Sequence, residues 1–484
     1  IELACAGFFF FFIDFRGHGL SSGELMVEEL TNEVKAVKEY LKDRDDVDAN
    51  NLGYIGYSMG GFPGNEIVKK DEDFKCFIGV GTGLDIKKDD IDLGRKLNIL
   101  MIIGQYDQAF QLKELKNQFG DLIEEDSEDV VVNRLYGCFQ EGNASKIFLD
   151  DNSDHLLTAW DQDFIREARD WVKNTFRSVD PVDQNFYANI RFYILILQLI
   201  GGIGLFFLLI PIISSKLVEY KEDEVYKLEV EEESMTDLTK SIVLYSFLFF
   251  IPGLLLMIPL LLLLPLMIAG LMVMLLFGQA FGMLMYLRKY GKKKEKSLVE
   301  VLKEPFQISR DSLIRNILLG SILAILLYLI LYLTIGLNYL GMTPNITKWP
   351  WIPIYFVVMC FNFLIFQMIF NGAGQNKLGD TTKDTLKGIL LAFGILYGYL
   401  TVIVLVPCLI LGNFFFAMFL EVAVFIYMLS VSVSAILYKH TGSVIPAAIV
   451  NTLFLILLLS TLSPYMNIFI ALGNFSAIAN HVNV

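Results

Sequence analysis

The chain has 484 residues, of which 54% are hydrophobic, and it carries a formal net charge of −14. This hydrophobic content is too high for a single soluble domain and indicates that part of the chain lies in a membrane. The acidic charge is concentrated in residues 1–183, which hold 37 Asp/Glu and 20 Lys/Arg, whereas the remainder holds 16 and 19. An acidic head followed by an apolar tail argues against nucleic acid as a partner.

The first 180 residues have the pattern of strands alternating with helices. The run GFFFFFIDF (7–15) is continuously apolar, which is typical of a strand buried on both faces of a parallel sheet. Further elements are predicted as strands at 51–58, 74–82, 97–107 and 145–151, and as helices at 24–43, 60–70, 109–119 and 158–177. This alternation predicts a doubly wound, mainly parallel sheet with its functional groups at the carboxyl ends of the strands. Because the chain begins with Ile shortly before a strand-like run, we expect N-terminal strands of this domain to precede residue 1.

The segment GYSMG (56–60) fits the pattern G-x-S-x-G. In such a turn the glycines leave room for a strained strand-to-helix bend, which exposes the serine hydroxyl. The backbone amide after the serine then points at the place where an oxyanion develops. The segment follows a predicted strand and opens a predicted helix, so Ser58 is the candidate nucleophile and Met59 the candidate oxyanion-hole residue.

A nucleophilic serine needs a general base, and the candidates are the four histidines of the chain, His18, His155, His440 and His481. His155 comes just past the last predicted strand, whereas His440 falls in a predicted cytoplasmic loop. Asp107 ends the strand before it, with Asp85 as the alternative acid. The order Ser58, Asp107, His155 is that of an α/β-hydrolase triad, in which the imidazole takes the serine proton and the carboxylate fixes its tautomer.

The segments DFRGHGLSSG (14–23), GYSMGG (56–61), GQYD (104–107) and SDH (153–155) together resemble the α/β-hydrolase superfamily, over about residues 1–178. The resemblance implies that Ser58 is a nucleophile and that the Met59 amide is one oxyanion-hole donor. It also implies structural roles beside the active site for Asp14, Arg16 and His18. The family's second oxyanion-hole donor is expected upstream of residue 1.

Apolar stretches of about 20 residues, long enough to cross a bilayer, recur from residue 190 onward. We predict eight spans, near 191–213, 242–263, 265–287, 317–340, 352–370, 388–411, 413–437 and 444–463. The chain then divides into an α/β-hydrolase domain at 1–180 and an all-α, polytopic membrane domain at 181–484. The loops on one side of the spans hold 17 Lys/Arg and those on the other side hold only Lys348. This asymmetry predicts a multi-pass protein of the cell membrane with its head on the extracytoplasmic side.

Two membrane-domain segments are similar to motifs of CAAX-type intramembrane metalloproteases. In YKHTGSVIPAAIVNTLF (438–454), Asn451 stands where that family has a metal-binding histidine, and in GQAFGMLMYL (278–287) Gln279 and Ala280 stand where it has glutamates. The predicted spans contain no histidine, so the ligand set of a metal site is missing. Glu421 is the only acid within a predicted span, and together with Asn451 it marks a possible intramembrane site, the alternative being helix–helix hydrogen bonding.

Two functions from different classes fit these features. The first is a membrane-anchored serine hydrolase that cleaves an ester, thioester or amide through an acyl-serine, without metal or organic cofactor. Its partners would be the lipid bilayer and a small-molecule or lipid-like acyl substrate. The second is a transporter or receptor-like membrane protein whose hydrolase-like head binds a ligand, which the large number of spans favours.

Overall fold

A four-stranded parallel sheet forms the centre of the N-terminal head. The computed structural model of the protein describes residues 1–92, 94–177, 179–230, 233–337 and 342–467. The sheet has the order β1-β2-β3-β4, each strand parallel to its neighbour, and consists of β1 (Leu52–Tyr57), β2 (Phe74–Val80), β3 (Asn98–Tyr106) and β4 (Ser145–Asp154). The central strands β2 and β3 are almost fully buried, as expected for strands covered on both faces. The predicted α/β-hydrolase fold is therefore confirmed.

Helices cover the two faces of this sheet, namely α1 (Glu2–Cys5), α2 (Leu30–Lys42), α3 (Gly61–Lys70), α4 (Leu112–Ile123) and α5 (Gln162–Thr175). On one face, α2, α3 and α4 pack against Phe77, Ile99 and Met101 of the central strands. On the other face, Trp171 of α5 packs against Ile78 and neighbouring residues. Adjacent residues of β2 thus point into opposite layers, which is the period of two of a strand buried on both sides.

The apolar run 7–15 does not form the strand that its composition predicts. Phe9 and Phe12 are 51% and 81% exposed, and the Arg44 guanidinium lies over the Phe9 ring. The prediction was wrong because apolar residues form a strand only where their N–H and C=O groups pair with a neighbour. Within the described residues, β1 pairs only with β2 and so forms one edge of the sheet.

The chain after residue 187 forms a bundle of apolar helices, α6 (Ala188–Leu217), α7 (Met235–Leu248), α8 (Phe250–Leu261), α9 (Met267–Lys293), α10 (Leu298–Lys303), α11 (Arg310–Leu331), α12 (Ile352–Ile369), α13 (Asn376–Leu378), α14 (Thr382–Leu411), α15 (Phe419–Thr441) and α16 (Ile445–Leu462). In the described part of the chain, seven helical segments are long and apolar enough to cross a membrane, and the pair α7–α8 raises this to as many as eight. That pair is bent by 49°. Pro252 explains the break, because its ring cannot donate the hydrogen bond that would continue α7. These helices are consistent with a multi-pass membrane protein.

The head contacts the helix bundle at the end opposite the lysine-rich loops. The Leu25 amide donates to the Tyr465 carbonyl (3.0 Å), and the Tyr465 amide donates to the Gly17 carbonyl (2.9 Å). The Asn345 side-chain amide donates to the Ser21 carbonyl (2.7 Å). The loop after the apolar run 7–15 of the head is thus hydrogen-bonded to the segment between α11 and α12 and to the segment that follows α16.

Lys348 lies in one of these segments and is fully buried. Its Nζ donates to the Ser463 carbonyl at 2.7 Å. Burial lowers the pKa of Lys348 to about 8, and the nearby Asp14 carboxylate partly offsets this by favouring the charged form. Burial also lowers the pKa of His18, and the positive charge of Lys348 acts in the same direction. A compact group of ionisable side chains therefore lies between the head and the membrane domain.

Candidate active site

Ser58 lies at a sharp turn between β1 and α3. Its φ is 51°, in the left-handed region that residues other than glycine rarely adopt. A side chain at Gly56 would place its Cβ 2.4 Å from the Gly60 carbonyl oxygen, and one at Gly61 would lie 2.4 Å from Thr82. The turn therefore requires glycine at positions 56 and 61, whereas at Gly60, the second glycine of the pattern, a Cβ would meet only Phe15, at 3.7 Å. This is the strained strand-to-helix geometry that the G-x-S-x-G pattern predicts.

Ser58, His155 and Asp107 form a continuous hydrogen-bonded chain. The distance from Ser58 Oγ to His155 Nε2 is 2.9 Å, and His155 Nδ1 lies 3.0 Å from each Asp107 carboxylate oxygen. A carboxylate only accepts hydrogen bonds, so Nδ1 carries the proton and Nε2 is free to accept the serine proton. The side chains of His155 and Asp107 are 3% and 1% exposed, which excludes water from this pair.

The three residues come from three different strand ends. Ser58 follows β1, Asp107 follows β3, and His155 follows β4. Parallel strands bring these ends to the same edge of the sheet, which is where doubly wound proteins bind their ligands. The Asp107 carboxylate also accepts the backbone N–H groups of Ala109 and Phe110, each at 2.8 Å. These bonds hold the carboxylate in the orientation that the histidine needs.

Residues that the sequence did not identify hold His155 in place. The Tyr57 hydroxyl donates to the His155 carbonyl at 2.6 Å, and the two rings stack with centroids 5.2 Å apart. The His155 amide donates to Gln108 Oε1 at 3.1 Å. Burial raises the pKa of Tyr57, and the negative charge of Asp107 adds to that rise, so the phenol stays protonated as a donor. Tyr57 and Gln108 each adjoin a predicted triad residue, but sequence gives no sign of what they contact.

Gly81 directly follows β2 and has a φ of 55°. A Cβ at this position would lie 3.1 Å from His155 Nδ1 and 3.2 Å from Asp107 Oδ2. The backbone of Gly81 thus forms one wall of the His–Asp pair. The sequence gives only a weak signal for this role of Gly81, because a glycine after a strand is common.

Met59 is the second residue of the short helical turn Ser58–Gly60 that leads into α3, so its amide lies at the positive end of that helix. Its side chain packs against a small apolar cluster of Leu25, Leu30 and Met466. Met267, the first residue of α9, packs against the same cluster, and so the residue after Ser58 lies at the contact between the head and the helix bundle. The role of the Met59 amide as an oxyanion donor stays a prediction.

The other predicted residues lie outside the triad. Asp85 pairs with Lys69 at 2.7 Å, and Asp14 accepts the Leu20 amide at 3.0 Å. The Arg16 guanidinium pairs with Glu33 at 3.3 Å. His440 lies in the last turn of α15, and His481 lies outside the described residues. Asp14, Arg16 and His18 all lie in or beside the loop of the head that is hydrogen-bonded to the membrane domain.

The structure does not bring Glu421 and Asn451 together. Glu421, in the first turn of α15, lies 3.4 Å from the Gln108 amide of the head. Asn451 is buried in the bundle and donates to Ser434 Oγ at 2.8 Å. Ser434 is 13 residues further along α15 than Glu421, which separates the two positions by about 20 Å. Glu421 therefore faces the head, and Asn451 makes a helix–helix hydrogen bond.

One group of side chains in the described part of the chain has the spacing of a cation site, namely Asp150, Asp161 and Asp163. Asp161 already accepts the amides of Asp163 and Phe164 as the N-cap of α5. Its other oxygen accepts the Ser153 hydroxyl at 2.9 Å. These bonds account for the position of Asp161 at the start of α5.

Comparison with known proteins agrees with the geometry of the head. Residues 2–127 match the model of a family described as serine aminopeptidase, S33. The matched segment includes Ser58 and Asp107 and ends before His155. Neither the curated proteins nor the solved structures include a significant match to the chain. The head thus has an α/β-hydrolase fold, its first 127 residues are similar to S33 serine hydrolases, and a serine hydrolase-type function is supported.

Proposed function

We propose that the protein is a membrane-anchored serine hydrolase that cleaves an ester, thioester or amide through an acyl-Ser58 intermediate. The observation that carries the proposal is the 2.9 Å contact between Ser58 Oγ and His155 Nε2 at a strained turn. The histidine is in turn fixed by the buried Asp107 carboxylate. Nucleophile, base and orienting acid thus stand in the geometry that acyl transfer requires.

In the first half-reaction, Ser58 Oγ attacks the substrate carbonyl carbon as its proton passes to His155 Nε2. The carbonyl oxygen becomes an oxyanion, which the Met59 amide stabilises. Collapse breaks the bond to the leaving group, and the leaving group takes the proton from His155. Water then attacks the acyl-serine with His155 again as the base, releasing the acid and restoring Ser58. Asp107 keeps Nδ1 protonated and stabilises the imidazolium throughout.

A lipid-like acyl substrate is supported by the position of the site. Met59 and Met267, where a candidate membrane span begins, pack against the same small apolar cluster, and Gln108 contacts Glu421 in the first turn of α15. The turn that carries Ser58 and the segment after Asp107 therefore both lie near the ends of candidate spans. The same ends carry exposed apolar side chains such as Leu263 and Phe414. An acyl chain in the adjacent leaflet could reach the serine without leaving an apolar surface.

The position of the head on the extracytoplasmic side is supported by the end of the bundle at which the lysine-rich loops lie. The lysine-rich loops lie at the end of the bundle away from the head. The head contacts the segments around Asn345 and Tyr465, which lie at the opposite end. With the positive loops in the cytoplasm, the head faces outward.

The test is labelling of the full-length protein with a fluorophosphonate, which reacts with activated serines. Ser58→Ala should abolish labelling, and His155→Ala should slow it by about a thousandfold or more, since triad members act as a unit. His440→Ala is the matched control, because this histidine lies at the far end of α15. A folded wild-type protein that stays unlabelled, or Ser58→Ala that still labels, would refute the proposal.

A second candidate function, ligand binding or transport, is favoured by the size of the membrane domain. Asn362 is fully buried in α12, and neither atom of its amide has a partner among the described residues. A buried unpartnered amide is costly, and in a transporter a polar ligand would satisfy it. Transport would survive Ser58→Ala and fail in Asn362→Leu, whereas the hydrolase would behave in the opposite way.

A further inference from the structure

The backbone of the catalytic histidine is held on both of its polar atoms. The Tyr57 hydroxyl donates to the His155 carbonyl, and the His155 amide donates to the side chain of Gln108. With Asp107 on the ring, three contacts define where Nε2 points. Of these three, the one through Gln108 alone leads out of the head and into the membrane domain.

The orientation of the Gln108 side chain follows from its partners. A backbone N–H can only donate, so the Gln108 atom that faces His155 must be its oxygen, Oε1. The Nε2 group therefore points the other way and needs an acceptor. Glu421 Oε1 lies 3.4 Å from it and supplies that acceptor. If the side-chain amide of Gln108 were flipped, its NH2 group would face the backbone N–H of His155. Two hydrogen-bond donors would then face each other, which is unfavourable.

Glu421 lies where the head meets the helix bundle, and its neighbours come from both parts of the chain. Glu421 stands in the first turn of α15, where the helix dipole favours a negative side chain. Two acidic side chains of the head are near it, Asp154, which faces it, and Asp107 beyond Gln108. Asp154 is itself fixed, because its carboxylate accepts the Leu157 amide at 2.8 Å. Gln108 thus lies between Glu421 of the membrane domain and His155 of the head, the residue that follows Asp154.

We propose that Glu421 is a positioning residue for His155, acting through Gln108, so that the membrane domain completes the active site of the head. The inference rests on the proposed hydrolase function. Glu421 touches neither the nucleophile nor the base; it fixes the amide that fixes the base. A shift of the first turn of α15 away from the head removes the acceptor of the Gln108 NH2 group, and Gln108 then holds its oxygen less firmly against the His155 amide. Hydrolysis in the head becomes dependent on the packing of a transmembrane helix.

The test measures hydrolysis of a small chromogenic ester and the rate of fluorophosphonate labelling by the full-length protein. Glu421→Leu and Gln108→Leu should each lower kcat and the labelling rate about tenfold, the loss expected for one hydrogen bond. KM should stay unchanged, because neither residue meets the substrate. The double variant should be no slower than either single one, since both act on one chain of contacts.

The variant Glu421→Gln distinguishes a positioning role of residue 421 from an effect of its charge and from misfolding of the protein. A glutamine at 421 still offers an oxygen to Gln108, so this variant should recover most of the wild-type kcat. Asp311→Leu is the matched control, because Asp311 is an exposed membrane-domain acid that pairs only with Arg315 across one helical turn. It should leave kcat unchanged.

The outcomes distinguish this inference from the function on which it rests. A Glu421→Leu protein with wild-type kcat would overturn the positioning role and leave the hydrolase intact. Losses that multiply in the double variant, or a Glu421→Gln protein as slow as Glu421→Leu, would also overturn it. A wild-type protein that neither labels nor hydrolyses would overturn both.

Discussion

Replacing Gly81 by alanine tests whether the wall behind the His–Asp pair matters for catalysis. Gly81 has a φ of 55°, and its amide donates to the Ile102 carbonyl at 2.8 Å, so its backbone cannot easily rotate away. The new Cβ would lie 3.1 Å from His155 Nδ1 and 3.2 Å from Asp107 Oδ2. Ordinary contacts of a carbon atom are about 3.5 Å or longer, so the pair must move by about 0.4 Å.

Two effects of this change can be estimated separately. The left-handed backbone costs an alanine about 1–2 kcal/mol, which should appear as a lower free energy of unfolding. The displacement of His155 acts on the reaction. A misplacement of 1 Å in an active site costs about a hundredfold, so a shift of a few tenths of an ångström should lower kcat about fivefold to tenfold.

The assay pairs thermal unfolding with the rate of fluorophosphonate labelling. Gly94→Ala is the control, because Gly94 also has a positive φ, of 90°, but a Cβ there meets nothing within 4 Å. Both variants should lose comparable stability, and Gly81→Ala alone should lose activity. Equal activity of the two variants would mean that the wall has no catalytic role, and the reasoning from contact distances would be wrong.

Three further predictions concern the contacts around the site and the orientation of the chain. Tyr57→Phe removes the hydroxyl that binds the His155 carbonyl, and it should lower the free energy of unfolding by about 1 kcal/mol and the labelling rate a few-fold, measured side by side. Lys348 has a folded-state pKa of about 8 against an ordinary value of 10.5, so the unfolded chain binds more protons between these pH values. Stability should therefore rise with pH across that window, and melting curves of Lys348→Met should lack this increment. A cysteine at position 294, with the native cysteines removed, should resist an impermeant thiol reagent added outside intact cells; labelling there would reverse the predicted topology.

The triad was predictable because each member carries a local signal. Ser58 lies in a glycine-bounded turn, Asp107 ends an apolar strand, and His155 follows the last strand. Their order along the chain then predicted that the three side chains meet, since parallel strands bring their carboxyl ends together. The contact between Gln108 and Glu421 joins residues 313 positions apart, and no local pattern encodes it.

The long apolar helices were predictable for a different reason. Crossing a bilayer demands a minimum length of apolar helix, so composition alone locates the spans within a few residues. The bend of 49° between α7 and α8 depends on how Pro252 breaks the helix, and hydropathy carries no such information. Composition also fails for the run 7–15. Its apolar residues predict a strand, but whether a strand forms depends on a neighbouring strand with which it can pair.

The strand that leads to Ser58, β1, has one unpaired side within the part of the chain that the structure describes. Within the described residues β1 is bonded only to β2, and exposed phenylalanines lie in the run at 7–15. A free strand edge beside apolar side chains invites sheet growth by another extended segment. Any segment added there would extend the ladder of the strand that ends at Ser58 and stiffen the turn that follows it.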